Sequence, residues 1–271
     1  MSLQPRSYLF VPGSRPERFD KACASGADAV IIDLEDAVGP ENKTTAREQM
    51  RQWFEAGNSA YVRINAANTK WFADDCTLLS LPGVVGVMLP KAQDFAAVER
   101  VNQVKHNDCQ LLLLIETAAG LLAAPTLAAL TGVSRLAFGS VDFQLDCSIP
   151  DDGVGLDFAR SSLVVASAAA GLPPPIDGVT TDLDDQAVLL AESKKGKKLG
   201  FGAKLCIHPK QIKAVNSCFA PTAEQVQQAQ RIVDAAKQAG SGDAARLDGK
   251  LLEKPIVAWA ERVLAVSAQY D

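Results

Sequence analysis

Eight short apolar runs, each followed by a stretch of helical periodicity, govern what this chain can become. The runs are Tyr8–Val11, Ala29–Ile32, Ala60–Ile64, Val84–Leu89, Leu111–Ile115, Arg135–Phe138, Ile176–Val179 and Ala203–Ile207. Most are continuous rather than alternating, the pattern of parallel strands covered on both faces. Helix-like segments lie between them, at Arg15–Ala24, Lys43–Glu55, Trp71–Leu79, Asp94–His106, Leu121–Leu130, Leu156–Ala170, Leu183–Lys195 and Pro209–Val215. Eight strand–helix units predict an α/β fold, a (β/α)8 TIM barrel, and a length of 271 residues suits one. A doubly wound parallel sheet would alternate in the same way. After the eighth unit come a helical stretch, Ala223–Ala239, the loop GSGDAARLDGK (Gly240–Lys250) and an amphipathic stretch, Pro255–Ser267, with Pro in its first turn. That loop is the boundary candidate. The expected organisation is a barrel over residues 1–239 and a C-terminal helical appendage over 240–271, packing on a neighbouring subunit.

Charge and cysteine usage narrow the partners. With 27 Lys and Arg against 32 Asp and Glu, the net charge is −5, so no broad phosphate-seeking surface is expected and nucleic acid is not an expected partner. No apolar run approaches the ~18 residues of a membrane span. The six cysteines (Cys23, Cys76, Cys109, Cys147, Cys206 and Cys218) include no C-x-x-C pair, and only two His stand beside them, which argues against zinc. Scattered thiols and an opening apolar stretch too short for a signal peptide lead to the expectation of a cytoplasmic protein.

A barrel gathers the last residues of each strand at one mouth, where catalysis takes place. The candidate positions are Pro12–Arg15 after the first strand, Asp33, Glu35 and Asp36 after the second, and Arg63 in the third. Then come Lys91, Glu116, and Gly139, Ser140 and Asp142 after the fourth, fifth and sixth, Asp177 leading into the seventh, and His208 after the eighth. Carboxylates outnumber cations here, and buried charge persists only when paired or bound to an ion. Acids without His or Cys ligands suit a hard divalent cation, Mg²⁺ best of all. Glu116 and Asp142 form the natural pair, because each directly follows an apolar strand and the two strands are neighbours. Ordinary salt bridges to Arg63 and Lys91 are the other use of the same acids. The turn PGSRPERF can receive phosphate on its backbone N–H groups or simply cap a helix. His208 reads as a structural side chain beside the pocket, and Lys194–Lys198 (KKGKK) as a solvated helix end.

The motifs YLFVPGSRPERFDKA, DAVIIDLEDAV, VRINA, VMLPKA, LLLLIETAAGL, FGSVDF, AAAGLPPPIDGV and GFGAKLCIHPKQI stand in order across Tyr8–Ile212, and LDGKLLEKPIVAWAERVL follows. Together they resemble the citrate lyase β-subunit-like acyl-CoA lyases of the HpcH/HpaI aldolase superfamily, related to malyl-CoA and citramalyl-CoA lyases. The resemblance implies that Glu116 and Asp142 hold Mg²⁺ and that Arg63 contacts the substrate's carboxylate or thioester oxygen. It implies that Glu35 and Asp36 orient ion-bound water or Arg63, and that the first loop, with Phe10, Gly13, Arg15 and Arg18, helps hold coenzyme A. A C-terminal acid is expected to reach a neighbouring subunit's site in a trimer or a pair of trimers. Here that position is Glu253, where the family has Asp, with Asp248 close by.

The reaction implied is retro-aldol (Claisen-type) cleavage of a 3-hydroxyacyl-CoA into a CoA thioester and a 2-oxo acid. Citramalyl-CoA, giving acetyl-CoA and pyruvate, is the expected substrate, with citryl-CoA and malyl-CoA as rivals. A metal-dependent aldolase on free 2-oxo acids and a non-catalytic homologue that binds CoA esters are the other readings.

Overall fold

In the computed structural model, which describes residues 4–238, 246–248 and 250–268, eight parallel strands close into a barrel in sequence order. They are β1 (Ser7–Pro12), β2 (Ala29–Asp33), β3 (Ala60–Arg63), β4 (Val84–Leu89), β5 (Gln110–Ile115), β6 (Val133–Phe138), β7 (Ile176–Asp177) and β8 (Ala203–Cys206). Each coincides with an expected apolar run, because a strand buried on both faces has no polar face to interrupt it. The doubly wound alternative is excluded by the pairing of β8 with β1. β7 is the exception in length. It meets β6 through the single pair Ala137↔Ile176, and Pro173–Pro175 just before it cannot extend the ladder.

Helices wrap the strands: α1 (Phe19–Cys23), α2 (Lys43–Glu55), α3 (Phe72–Cys76), α4 (Phe95–Val104), α5 (Ala118–Ala128), α6 (Ser140–Cys147), α7 (Val154–Ala169), α8 (Gln186–Leu199) and α9 (Ile212–Phe219). Side-chain caps explain several starts. Asp94 accepts from the N–H of Ala96, Thr117 from Gly120, and Asp185 from Ala187 and Val188. The helix expected over Arg15–Ala24 is shorter than its pattern: a 3-10 turn, Pro16–Arg18, leads into α1.

Inside the barrel, Tyr8, Ala29, Ile31, Tyr61, Met88, Leu112, Leu114, Ala137, Ile176, Ala203 and Leu205 form one core. Its lower end is closed by Arg135, buried on β6. Arg135 donates from Nε to the carbonyl of Pro174 (2.7 Å) and from Nη1 to the carbonyl of Pro5 (2.9 Å). Polar groups at that end of a barrel serve stability, and the opposite end is left for chemistry.

Contacts divide the chain into a unit over Gln4–Ser217 and a second that begins at Cys218. The expected boundary at 239/240 lies outside the described residues, and the division falls earlier. The cause is α10 (Ala223–Gln238), assigned to the barrel by its place in the sequence. Its Ala229, Ile232 and Val233 pack with Ala260 of α11 (Lys254–Ser267), joined by Leu247, Leu252, Val257, Val263 and Leu264. A short hairpin, β9 (Arg246–Leu247) and β10 (Lys250–Leu251), occupies part of what was expected to be loop. No described helix is long and apolar enough to cross a membrane.

Candidate active site

Strand side chains alternate with a period of two, so the inward positions can be followed step by step toward the mouth. Tyr8, Ile31, Tyr61 and Leu114 lie in the inner core, and two residues further on stand Phe10, Asp33, Arg63 and Glu116. Three of these four are ionisable. Charge replaces apolar bulk at the point where the core opens.

Register sets Asp33 opposite Arg63. Arg63 donates from Nε to Asp33 Oδ1 (2.7 Å) and from Nη2 to Asp33 Oδ2 (2.6 Å), a bidentate fork. Its Nη1 lies 2.9 Å from Glu35 Oε2 and 3.3 Å from Asp36 Oδ2. The guanidinium also sits 4.8 Å from the centre of the Phe10 ring. Burial draws the Arg63 pKa down, but Asp33, and then Glu35 and Asp36, outweigh it and hold the group charged. Asp33 itself accepts from the N–H groups of Glu35 (2.8 Å) and Ala37 (3.1 Å), which curls the following turn back over the strand end.

That turn is pinned from beneath. Lys43 of α2 is buried and donates from Nζ to the carbonyls of Leu34 (2.7 Å) and Glu35 (2.8 Å) and to Asn65 Oδ1 (2.6 Å). Asn65 Nδ2 donates to Asp75 Oδ2 (2.6 Å), and Arg47 closes the chain on Asp75 Oδ1 through Nε (3.0 Å) and Nη2 (2.8 Å).

Glu116, just past β5, is 2% exposed, and its Oε1 accepts from the N–H of Lys91 (2.8 Å). Lys91 aims that N–H from a left-handed backbone, φ 48°, a conformation that is costly in a lysine. Gly139 keeps the neighbouring space open: a Cβ there would stand 2.5 Å from Glu116 Cβ and 2.6 Å from its Oε2. Asp142 does not directly follow β6 as expected. It lies in the first turn of α6 and is half-buried. Burial first, and then the charges of Glu35 and Asp142, push the Glu116 carboxyl up to about 8. Glu35 is pushed up to about 7 by burial, against the pull of Arg63, with Asp36 and Asp33 adding to the rise. Its Oε2 is buried and makes no hydrogen bond despite the nearby guanidinium.

The mouth thus concentrates negative charge that Arg63 and Lys91 do not fully answer. Among the described residues, no group of three or more His, Cys, Asp or Glu could cage a metal ion. Two carboxylates with room beside them are the donor set of a hard cation that completes its shell with water and substrate oxygens.

Other expected site residues are placed differently. Gly13 donates to the Asp33 carbonyl (2.8 Å), and a Cβ on it would stand 2.8 Å from that same oxygen, so close packing already requires glycine there. Arg15 and Arg18 are exposed and lie 2.7 and 4.0 Å from Glu17 Oε1. Glu253 is exposed at the N-cap of α11, and Asp248 pairs with Arg231 at 2.8 Å. Asp177 lies within β7 rather than before it and accepts from Arg160 Nε of α7 (2.9 Å). His208 accepts from the N–H of Lys210 (3.1 Å) in a capping box, the structural part expected of it. Lys195 of the KKGKK run is tied to Asp157 at 2.8 Å and is not simply solvated. Sequence reasoning gave no part to Lys43 or to the Asp33–Arg63 fork. Period-two counting along AVIID and AYVR would have found the fork, whereas nothing local marks Lys43.

The family described as HpcH/HpaI aldolase/citrate lyase matches residues 6–209, and one described as C-C bond lyase of the TIM-barrel fold matches residues 166–271. A (3S)-malyl-CoA thioesterase of Cereibacter sphaeroides is 32% identical over 96% of this chain and 93% of its own. A citrate lyase subunit beta-like protein of Deinococcus radiodurans is 33% identical over 97% of both. The CitE protein of Mycobacterium tuberculosis, solved in complex with magnesium, acetoacetate and coenzyme A, superposes with a TM-score of 0.82. It is 30% identical, over 97% of this chain and 98% of that one. The chain therefore belongs to the HpcH/HpaI aldolase/citrate lyase family of carbon–carbon lyases built on a TIM barrel.

Proposed function

We propose that the protein is a Mg²⁺-dependent lyase that cleaves a 3-hydroxyacyl-CoA, best matched by citramalyl-CoA, into acetyl-CoA and a 2-oxo acid. The observation that carries this reading is Glu116: a buried acid at an inward strand end, beside the space left by Gly139 and within the field of Asp142. Magnesium, present in the structure of the relative from Mycobacterium tuberculosis, would be held by Glu116 and Asp142. Bound there, it would supply Lewis-acid stabilisation to the oxygen of the breaking alcohol.

The chain's own residues account for the rest. The hydroxyl gives its proton to water, its carbon becomes the carbonyl of the 2-oxo acid as the C2–C3 bond breaks, and the electron pair of that bond passes to the thioester as an enolate. Arg63 has five N–H donors, and the Asp33 fork occupies two. Nη1 faces Glu35 and Asp36, so the second N–H of Nη2 is the donor left to steady the enolate oxygen, where charge appears only as the bond breaks. Glu35 and Asp36 hold the guanidinium in place from its other side. The Phe10–Arg18 loop receives coenzyme A. Glu253 of a neighbouring subunit in a trimer or hexamer returns a proton to the enolate carbon, which yields acetyl-CoA.

Hydrolysis of the thioester is a second reading, favoured by the thioesterase relatives. A panel of citramalyl-, citryl- and malyl-CoA, assayed with Mg²⁺ and with chelator, tests both. Lyase action releases a 2-oxo acid and no free thiol, whereas hydrolysis releases free coenzyme A and the hydroxy acid. No turnover of any of the three would leave a CoA-ester-binding role or an aldolase acting on free 2-oxo acids.

A further inference from the structure

Lys43 is buried where a cation is costly. It is the first residue of α2, at the end of a helix that favours negative charge, and it is 5% exposed. A buried ammonium persists when its donors are answered. Lys43 Nζ has three N–H groups and three acceptors: the carbonyls of Leu34 (2.7 Å) and Glu35 (2.8 Å) and Asn65 Oδ1 (2.6 Å). The Trp71 ring lies over it, with its centre 4.9 Å away. The third acceptor is itself fixed. Asn65 Nδ2 donates to the Leu34 carbonyl (3.1 Å) and to Asp75 Oδ2 (2.6 Å), which turns Oδ1 toward the ammonium. One ammonium thus ties the chain leaving β2 to the chain leaving β3.

We propose that Lys43 is a positioning residue for Arg63: its grip on the Leu34 and Glu35 carbonyls holds the turn that keeps Glu35 and Asp36 on Arg63 Nη1. Glu35 is held at both ends, its carbonyl by Lys43 and its carboxylate 2.9 Å from Arg63 Nη1. The Asp33 fork cannot fix the turn by itself, because each Asp33 oxygen serves two donors. Oδ1 accepts from Arg63 Nε and the Glu35 N–H, and Oδ2 from Arg63 Nη2 and the Ala37 N–H. A turn that slips therefore drags Asp33, and the guanidinium with it. The direction of the second Nη2 N–H is set by an ammonium on the far side of the turn. Three acceptors around one atom suit neither glutamine, with two N–H groups and an oxygen of its own, nor the planar fork of arginine. The proposal rests on the lyase reading for the part that Arg63 plays.

Lys43→Met keeps the bulk of the side chain and removes all three donors. In the folded variant, kcat on the thioester that the wild type cleaves is expected to fall ~10–100-fold with little change in KM. A side chain that only stabilised the fold would lower the melting temperature and leave kcat, measured well below it, intact. Coupling separates the two further. In the Arg63→Lys background the same substitution is expected to cost less than ~3-fold, because the group it positions is gone. Hydrogen exchange needs no substrate. The amides of Glu35, Ala37 and Val38 bond to Asp33 and to the Glu35 carbonyl. They are expected to exchange ~10-fold or more faster in Lys43→Met, while the amides of β5 keep their wild-type rates. If Lys43→Met does not fold, Lys43→Gln, which retains two donors, is measured in the same way. A folded variant with the wild-type kcat overturns the proposal, as does an equal loss in both backgrounds or unchanged exchange at the three amides. A wild type that cleaves no thioester removes the lyase reading alone, and the exchange rates then decide whether Lys43 holds the turn.

Discussion

Arg63 shows how one side chain couples stability to chemistry. Its fork neutralises Asp33, which is 1% exposed. Removing the guanidinium altogether would strand a buried carboxylate, at a cost of about 3–5 kcal/mol. Arg63→Lys is the sharper test of catalysis, since it keeps the charge and loses the planar fork. Turnover is expected to fall by ~10²–10³-fold with a smaller change in KM, the signature of an oxyanion donor; an unchanged kcat with a raised KM would reduce Arg63 to a substrate clamp. Glu35 gives a pH test. Its folded pKa, about 7, lies above the ordinary carboxylate value of 4.5, so the folded state holds a proton that the unfolded chain has lost. The contribution of Glu35 to metal-free stability therefore falls as pH rises from 4.5 to about 7 and is flat above that, by up to about 1.4 kcal/mol per pH unit. In Glu35→Gln this contribution disappears, so the difference in melting temperature should move in the variant's favour between pH 5 and 7.

At the scale of elements, the strands were legible and the junctions were not. All eight barrel strands overlap their apolar runs, with β1, β2, β5 and β6 reaching one or two residues beyond them, because burial on both faces leaves an unbroken signal. α6 was missed because SVDFQLDC is only eight residues long and mixes polar with apolar positions, so no periodicity emerges. That omission is why Asp142 was expected directly after a strand, whereas it lies in the first turn of α6. The β6–α6 junction depends on Gly139 for space: its φ of −91° is open to any residue, but a Cβ would collide with Glu116. Gly139→Ala is therefore expected to displace the Glu116 carboxylate and weaken Mg²⁺ binding by ~10–100-fold, measured by calorimetry. Gly26→Ala is the matched control. With φ 82° and nothing within 4 Å of an added Cβ, it should cost about 1 kcal/mol in stability and leave Mg²⁺ affinity alone.

For the whole molecule, the sequence located the barrel and its mouth but not the extent of the C-terminal unit. A boundary inferred from a Gly-rich loop ignores which apolar faces pair, and α10 pairs with α11. The same unit carries Glu253, exposed and without a capping bond to its own helix, which makes the source of the final proton a question about the assembly. Complementation answers it. Arg63→Lys disables a barrel and Glu253→Gln disables a C-terminal segment, so each variant alone should be nearly inactive. If every site combines one chain's barrel with another chain's segment, an equal mixture allowed to exchange subunits contains intact pairings. A barrel is wild type half the time, and so is the segment facing it, which restores about a quarter of the wild-type activity per chain. Were both groups drawn from one chain, no subunit in the mixture would carry an intact pair and activity would stay at the level of the separate variants. The recovered fraction therefore measures directly whether catalysis is shared between chains.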